Sequence, residues 1–358
     1  MAYTTINDPS EHYQTMTYCG NGSARSIVND GNSDLQPDLV WIKGTSGGTN
    51  NIQDSSRGAG YVLVTDSDDD EFAWGQYIQT FDSDGFSLLA GDGSTNQNGN
   101  KYMAWQWKMN GGTTTTNNDG NRSVTLQANS TAGQSIGLYE GSGADGATYG
   151  HGLGAVPDMV IMKNRDSNNY SWMVWHSSIS PTSQLTLDGS GAKSAAGGGT
   201  YQTFTSSVIA LESASAVNVA ESFMFLAFTG VAGYSKFGSW KGNVNALGPF
   251  IYTGFKPAFI LWKPTGAAEN WIVHDSIRSI TGSACGSDRE NSNPVYDRSY
   301  PNLGSASSSS QHMMDILSNG FKIRTADTAW NGNGLEYIYA AFAESPFVTS
   351  SGVPTTAR

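Results

Sequence analysis

The chain has 358 residues, only 14% of them charged, and a formal net charge of −12. That balance lacks the cationic field that draws proteins onto nucleic acid or anionic lipid, and no run of about 18 apolar residues is present to form a membrane-spanning helix. The length suffices for two or three separate cores, and 43 Gly with 10 Trp, 16 Tyr and 14 Phe favour short, well-packed strands joined by turns.

The opening MAYTTINDPSEHYQ has no basic region followed by an apolar one, so no signal peptide is expected. Residues 1–17 read as a polar N-terminal arm anchored by Tyr3, Tyr13 and Met16, with no heptads and hence no coiled-coil stalk. The two cysteines, Cys19 and Cys285, are too few for an extracellular disulfide scaffold. They are expected as reduced thiols in a protein assembled in a cytoplasm.

Unit one, residues 18–109, holds the Gly-rich turn at Gly20 and Gly22, then PDLVWIK (37–43), DSSRG (54–58), FDSDGF (81–86) and YMAWQWK (102–108). Residues 110–133 open with NGGTTTTNNDGN, a composition that buries little and reads as a linker. Unit two, residues 134–232, carries Tyr139 and Gly141 where unit one has Tyr18 and Gly20, then PDMVIMK (157–163) and FMFLAF (223–228). Unit three, residues 233–347, begins with almost no connector; Trp240 and Gly242 replay the early turn before PAFILWK (257–263) and YIYAAF (337–342). Residues 348–358 are a small, polar tail.

The seven-residue stretch with Pro at 37, 157 and 257 thus recurs at intervals of 120 and 100 residues, each copy running through four apolar residues to a lysine. Such short runs bounded by Pro and Gly read as strands. Successive side chains point to opposite faces, so these strands are apolar on both sides and need a covering layer on each. That layer is a second sheet, a neighbouring unit or another subunit. Trp41, Ile161 and Leu261 are equivalent in this reading, and the closing strands align on Ala104, Ala227 and Ala341. The expected fold is all-β: three tandem antiparallel β-sandwiches of jelly-roll or lectin-like type, roughly 95–110 residues each.

Candidate chemistry is sparse. Asp66, Asp68 and Asp70, with Asp69 and Glu71, offer closely spaced hard oxygen ligands for Ca2+, against the alternative of a solvated loop. The Asp82–Gly85 stretch reads as a tight hairpin turn. His176 and His274 fall after Trp172 and Trp271 in similar places; His274, Asp275 and Ser276 are adjacent on one strand and so cannot form a catalytic relay among themselves. Arg57 and Arg278 read as local partners of Asp54 and Asp275. Asn169 with Tyr170, and Trp330 with Asn331, have the aromatic-plus-amide composition of a carbohydrate site in exposed loops. No catalytic residue is expected.

The stretches YTTINDPSEHYQT, PDLVWIK, DSSRG, FDSDGF, YMAWQWK, GLGAVPDMVIMK, GYSKFGSW, YTGFKPAFILWK, YIYAAFAESPF and SSGVPTTAR occur in order from Tyr3 to Arg358. Together they resemble a family of tail-fibre-like virion proteins of tailed phages infecting marine bacteria and cyanobacteria. The resemblance implies a virion protein with lectin-type sandwiches and no known catalytic residue. The expectation is a tail fibre or appendage subunit that forms a homotrimer, contacts other virion proteins and host-surface glycan, and engages neither nucleic acid nor membrane. A capsid decoration protein and a polysaccharide depolymerase are the alternatives.

Overall fold

A computed structural model describes residues 4–73, 75, 77–90, 93–195, 201–277, 293, 295, 297–308 and 313–355. Unit one contains β1 (Tyr13–Cys19), β2 (Arg25–Ile27), β3 (Leu39–Gly44), β4 (Asn51–Asp54), β5 (Tyr61–Val64), β6 (Phe72–Ala73), β7 (Ile78–Asp82), β8 (Gly85–Leu88) and β9 (Lys101–Trp107). Unit two contains β10 (Thr115–Asn117), β11 (Val124–Asn129), β12 (Gln134–Glu140), β13 (Ala147–Gly150), β14 (Met159–Asn164), β15 (Met173–His176), β16 (Ser183–Thr186), β17 (Ser194–Ala195), β18 (Tyr201–Phe204), β19 (Val208–Leu211) and β20 (Ser222–Phe228). Unit three contains β21 (Ser235–Lys241), β22 (Phe250–Tyr252), β23 (Phe255–Pro264), β24 (Ile272–Asp275), β25 (Met314–Leu317), β26 (Gly320–Ile323) and β27 (Glu336–Pro346).

Each unit is a sandwich of a large and a small antiparallel sheet with one shared strand order. The large sheets run β1-β9-β3-β4, β12-β20-β14-β15 and β21-β27-β23-β24, extended in units one and two by further edge strands. The small sheets run β2-β8-β7, β13-β19-β18 and β22-β26-β25. The all-β sandwich expectation therefore holds. Two boundaries move. The end of the expected arm, from Tyr13 on, belongs to β1, which is paired along its length with β9. The expected linker supplies β10 and β11, which extend unit two's sheet and bury Val124 and Leu126. Its Thr- and Asn-rich part is the exposed edge strand β10.

The repeated strands β3, β14 and β23 are buried along both faces. In unit one, Val40 and Ile42 face the small sheet, against Ile27, Phe86 and Leu88. Leu39 and Trp41 face the other way and meet their counterparts: Met159 and Ile161 of unit two and Phe259 and Leu261 of unit three surround one small void of about 20 Å³ with them. Trp105 packs edge-on against Phe259 at 5.6 Å, and Phe228 does so against Phe342 at 5.6 Å. The second covering layer is therefore the chain's own neighbouring units, arranged around a common axis.

The closing lysine of each repeat ties that arrangement together. Lys43, Lys163 and Lys263 have no exposed surface. Lys43 Nζ in unit one donates to Leu303 O of unit three at 2.9 Å, Lys163 Nζ in unit two to Asp68 O of unit one at 3.0 Å, and Lys263 Nζ in unit three to Ser190 O of unit two at 2.9 Å. The residue before β4, β15 or β24 repeats the direction. Asn50 Nδ2 donates to Pro301 O at 3.0 Å, Trp172 Nε1 to Val64 O at 2.8 Å and Trp271 Nε1 to Thr186 O at 2.7 Å. Each unit thus grips the preceding one, and unit one grips unit three, so the ring closes. Burial pushes Lys263 down to about 8 and lowers Lys163, whose fall is opposed chiefly by Asp188. Removing such a donor strands the carbonyls it served, at about 1–3 kcal/mol each. Lys163→Met, which leaves Asp68 O and Tyr170 O without this donor, is expected to lower unfolding free energy by about 3 kcal/mol in urea titration.

The register also corrects two alignments. Trp41 lies opposite Trp105, Ile161 opposite Leu226 and Leu261 opposite Ala340. The counterpart of Ala227 and Ala341 in unit one is therefore Gln106, opposite Val40, and not Ala104, opposite Ile42. A shift of two leaves the face unchanged, so all three alanines are still fully buried. His176 lies opposite Met159, whereas His274 lies opposite Ile260, one position out of step and on the other face.

A second repeated element closes the end of each unit. Asn96, Asn218 and Asn331 are fully buried. The backbone carbonyl of each accepts from the turn after β1, β12 or β21: Gly22 N at 2.9 Å, Gly143 N at 2.7 Å and Val244 N at 2.8 Å. Gly22 and Gly143 sit at φ 71° and 67°, and Val244 is forced to φ 51° in the same place. A branched residue pays roughly 1–2 kcal/mol in that region. Val244→Gly is expected to raise stability by about 0.5–1 kcal/mol in chemical denaturation, once the unfolded-state entropy of glycine is deducted.

Candidate binding cleft

The residues picked from the sequence fall into the scaffold more than into a site. In the acidic loop, Asp66 Oδ1 accepts from Asn50 N at 2.9 Å and Asp68 offers its carbonyl to Lys163. Asp70 is exposed. Glu71 bridges two units, meeting Arg57 Nη1 at 2.9 Å and Arg165 Nη2 at 2.7 Å. Burial raises the Glu71 carboxyl, but the hydrogen bonds and charges of these two guanidiniums outweigh it and hold the carboxyl below its usual range. Arg57 also pairs with buried Asp54, as read from the sequence. Among the described residues no group of three or more His, Cys, Asp or Glu side chains is placed to hold a metal ion. Asp82 and Gly85 close a tight hairpin, with Gly85 at φ 101°.

The carbohydrate candidates lie in two separate places. Asn169 is exposed, and Tyr170 is half-buried with its carbonyl bound to Lys163 Nζ at 2.9 Å. Trp330 is half-buried, edge-on to Trp262 at 5.7 Å and 5.5 Å from the Arg298 guanidinium. Asn331 is committed inside: its Nδ2 donates to Asn243 Oδ1, Asn245 O and Thr325 O, and its Oδ1 accepts from Asn243 N. Cys19 is disulfide-bonded, against the expectation of reduced thiols. Cys285, Arg278, the Gly-rich piece Gly197–Gly199 and the last two residues of the Ser-rich loop Ser305–Ser310 lie outside the described residues.

A cleft of about 420 Å³ opens at the seam between units two and three. Its walls are Asp158 and Gly230 from unit two, with Ser235, Lys236, Phe237, Tyr252, Thr253 and Phe347 from unit three and Val348 from the tail. Tyr252 is 54% exposed, and Lys236 Nζ sits 5.2 Å from its ring centroid while donating to Tyr252 O at 2.8 Å. Partial burial alone pushes the Lys236 ammonium down. The hydroxyls of Ser235 and Thr253 are spent on local backbone, whereas among the described residues the Asp158 side chain receives one donor, Gly230 N at 2.8 Å.

None of these cleft residues carries a recognisable motif. The one available signal was the second position of the repeated stretch, which reads Asp38, Asp158 and Ala258 and so breaks the apolar pattern in two copies. Beside the cleft, His176 is fully buried at the joint between units. Its Nε2 faces Tyr339 O at 3.0 Å, and its Nδ1 accepts from Ser178 N at 3.0 Å. The ring is thus a neutral Nε2–H tautomer, and protonating Nδ1 would break the Ser178 bond.

The chain matches a family described as Domain of unknown function (DUF7483) over residues 8–346, and it belongs to that family. The single match spans all three units. No curated protein and no solved structure is similar to it at a significant level.

Burial pushes His176 down to about 4, below the ordinary value of about 6.5 expected of it unfolded. Between those values the unfolded chain takes up a proton that the folded chain refuses. Stability is therefore full above pH 6.5 and is lost as pH falls to 4, by roughly 3 kcal/mol from this group. Burial lowers His12 and His151 too, which steepens the loss. Urea midpoints measured from pH 7.5 to 4 should show this slope, and His176→Gln should flatten it.

Proposed function

We propose that the chain is a structural protein of a phage virion, a tail-fibre or tail-appendage subunit whose outer surface contacts host glycan, and that it is not an enzyme. The supporting observation is the closed ring. Its buried polar groups Lys43, Lys163, Lys263, Asn50 and His176, with half-buried Glu71, are engaged in holding the units to one another. What results is a rigid tile with internal threefold character, suited to assembly and surface contact rather than to turnover. The motif resemblance along the whole chain points the same way. A homotrimer remains part of this reading, but it would form through outer faces, because the repeats' second faces are covered within the chain.

One observation favours a second reading, a capsid decoration protein. The two ends meet: Asn7 Nδ2 donates to Ser350 Oγ at 2.9 Å and Ser350 N to Asn7 Oδ1 at 2.8 Å, which gives a compact body rather than a shaft. Cryo-electron microscopy of particles from a phage encoding the chain, with antibody labelling, decides between them. Density and label at the tail are expected. Label on capsid lattice points would establish the decoration reading, and particles lacking the chain would sink both.

A further inference from the structure

We infer that the cleft between units two and three binds the hydroxyl-rich end of a neutral glycan, with Asp158 accepting from sugar hydroxyls and Tyr252 supplying the apolar face. This deepens the glycan-contact reading above and rests on it.

The argument comes from comparing two joints of one ring. Asp38, the counterpart of Asp158 in unit one, is fully buried and accepts from four donors. They are Ser55 Oγ at 2.6 Å, Met109 N at 2.7 Å, Gly111 N at 2.8 Å and Gly112 N at 2.6 Å. Two of these come from the connector that leads into the β10–β11 hairpin. Gln127 on that hairpin completes the plug, its Oε1 accepting from Gly112 N at 3.1 Å and its Nε2 donating to Ser55 and Ser56 Oγ. The chain therefore supplies the carboxylate's partners itself at the first joint.

At the second joint that filling is missing. Unit three begins without a connector or an added hairpin, and β21 is the outer strand of its sheet among the described strands. Met109 N has its counterpart in Gly230 N, which reaches Asp158 at 2.8 Å. By the same offset Gly111 and Gly112 correspond to Ala232 and Gly233, which line the cleft instead of donating to Asp158, and among the described strands unit three has no hairpin strand to supply a counterpart of Gln127. A carboxylate has about four acceptor sites, so Asp158 presents unused ones to a ligand rich in donors. The cleft's remaining chemistry is a half-exposed aromatic ring, an ammonium and the apolar edge of Phe347. Sugar rings match this set, with hydroxyl donors around an apolar C–H face. A free phosphate or an acidic peptide would meet the Asp158 charge directly.

The full-length chain is to be screened on an array of neutral and acidic oligosaccharides. The best-bound neutral one is then titrated calorimetrically into wild type, Asp158→Ala, Tyr252→Ala and the control Val28→Ala, an exposed position on unit one outside the cleft, with thermal unfolding of each recorded. Tyr252 is exposed, so its removal tests the site even where Asp158→Ala fails to fold. The expected result is a neutral glycan whose affinity falls at least tenfold in both cleft variants and is unchanged in the control. Undiminished binding in the cleft variants overturns the site and leaves glycan contact standing elsewhere. Absence of binding to every glycan overturns the site and the glycan-contact reading together. Preference for an extended peptide, added to the open edge of β21, overturns the proposal as well.

Discussion

A strand that is apolar on both faces cannot end its packing at one sandwich. Leu39 and Trp41 in unit one, and their counterparts in the other two units, turn away from the small sheets and still have to leave water. Burying side chains of this size contributes about 1.5–3 kcal/mol each, so the three faces are driven together. The contact is head-to-tail, each unit gripping the one before it. Such contacts run on as filaments unless the rotation between neighbours closes. Here it closes at three, and the bonds between Asn7 and Ser350 seal the two chain ends.

Carrying the ring in one chain permits its joints to differ. Lys43, Lys163 and Lys263 all serve the same purpose, yet their acceptors are Leu303, Asp68 and Ser190, residues with nothing in common but a carbonyl. A backbone acceptor places no demand on side-chain identity. The reaching loops were therefore able to diverge into an acidic stretch in unit one and a Ser-rich one in unit three. The same freedom let one joint acquire the β10–β11 plug while the next kept an open cleft. Three identical subunits would have had three plugs or three clefts.

Much of the scaffold was legible because strands obey a period of two and the repeat kept its flanking Pro and Lys. The side chains Trp41, Ile161 and Leu261, which that pattern aligns, all line the central void. The slips have physical causes. Aligning Ala104 with Ala227 displaced the closing strand by two, an error that keeps every face and so leaves no trace in the burial pattern. Residues 124–129 looked like linker because their neighbours are Thr and Asn, although Val124 and Leu126 alternate as a half-buried strand does. Asn331 read as a sugar ligand because an amide beside Trp330 has that composition; its true partners, Asn243 and Asn245, lie more than 80 residues away. Asn96 and Asn331 each stand 5 residues before their closing strands (101−96, 336−331) and Asn218 stands 4 (222−218), a spacing that marks them as one element only once those strands are aligned. The cleft was out of reach for a related reason: it exists through a hairpin that unit three does not have.

The buried lysines explain why the ring has one arrangement rather than several. An apolar axis lined by Leu, Ile, Met, Phe and Trp is tolerant of sliding, because such side chains repack at low cost when volume is kept. A buried ammonium is not tolerant, since losing its acceptors strands a charge in the interior. Each lysine stands at the end of a repeated strand and finds its carbonyl only when the neighbouring unit is in one register. A slip of a single residue would turn the lysine toward the sandwich interior, where Val40, Val160 and Ile260 offer it nothing. Apolar burial thus brings the units together, and the lysine joints select the register in which they close.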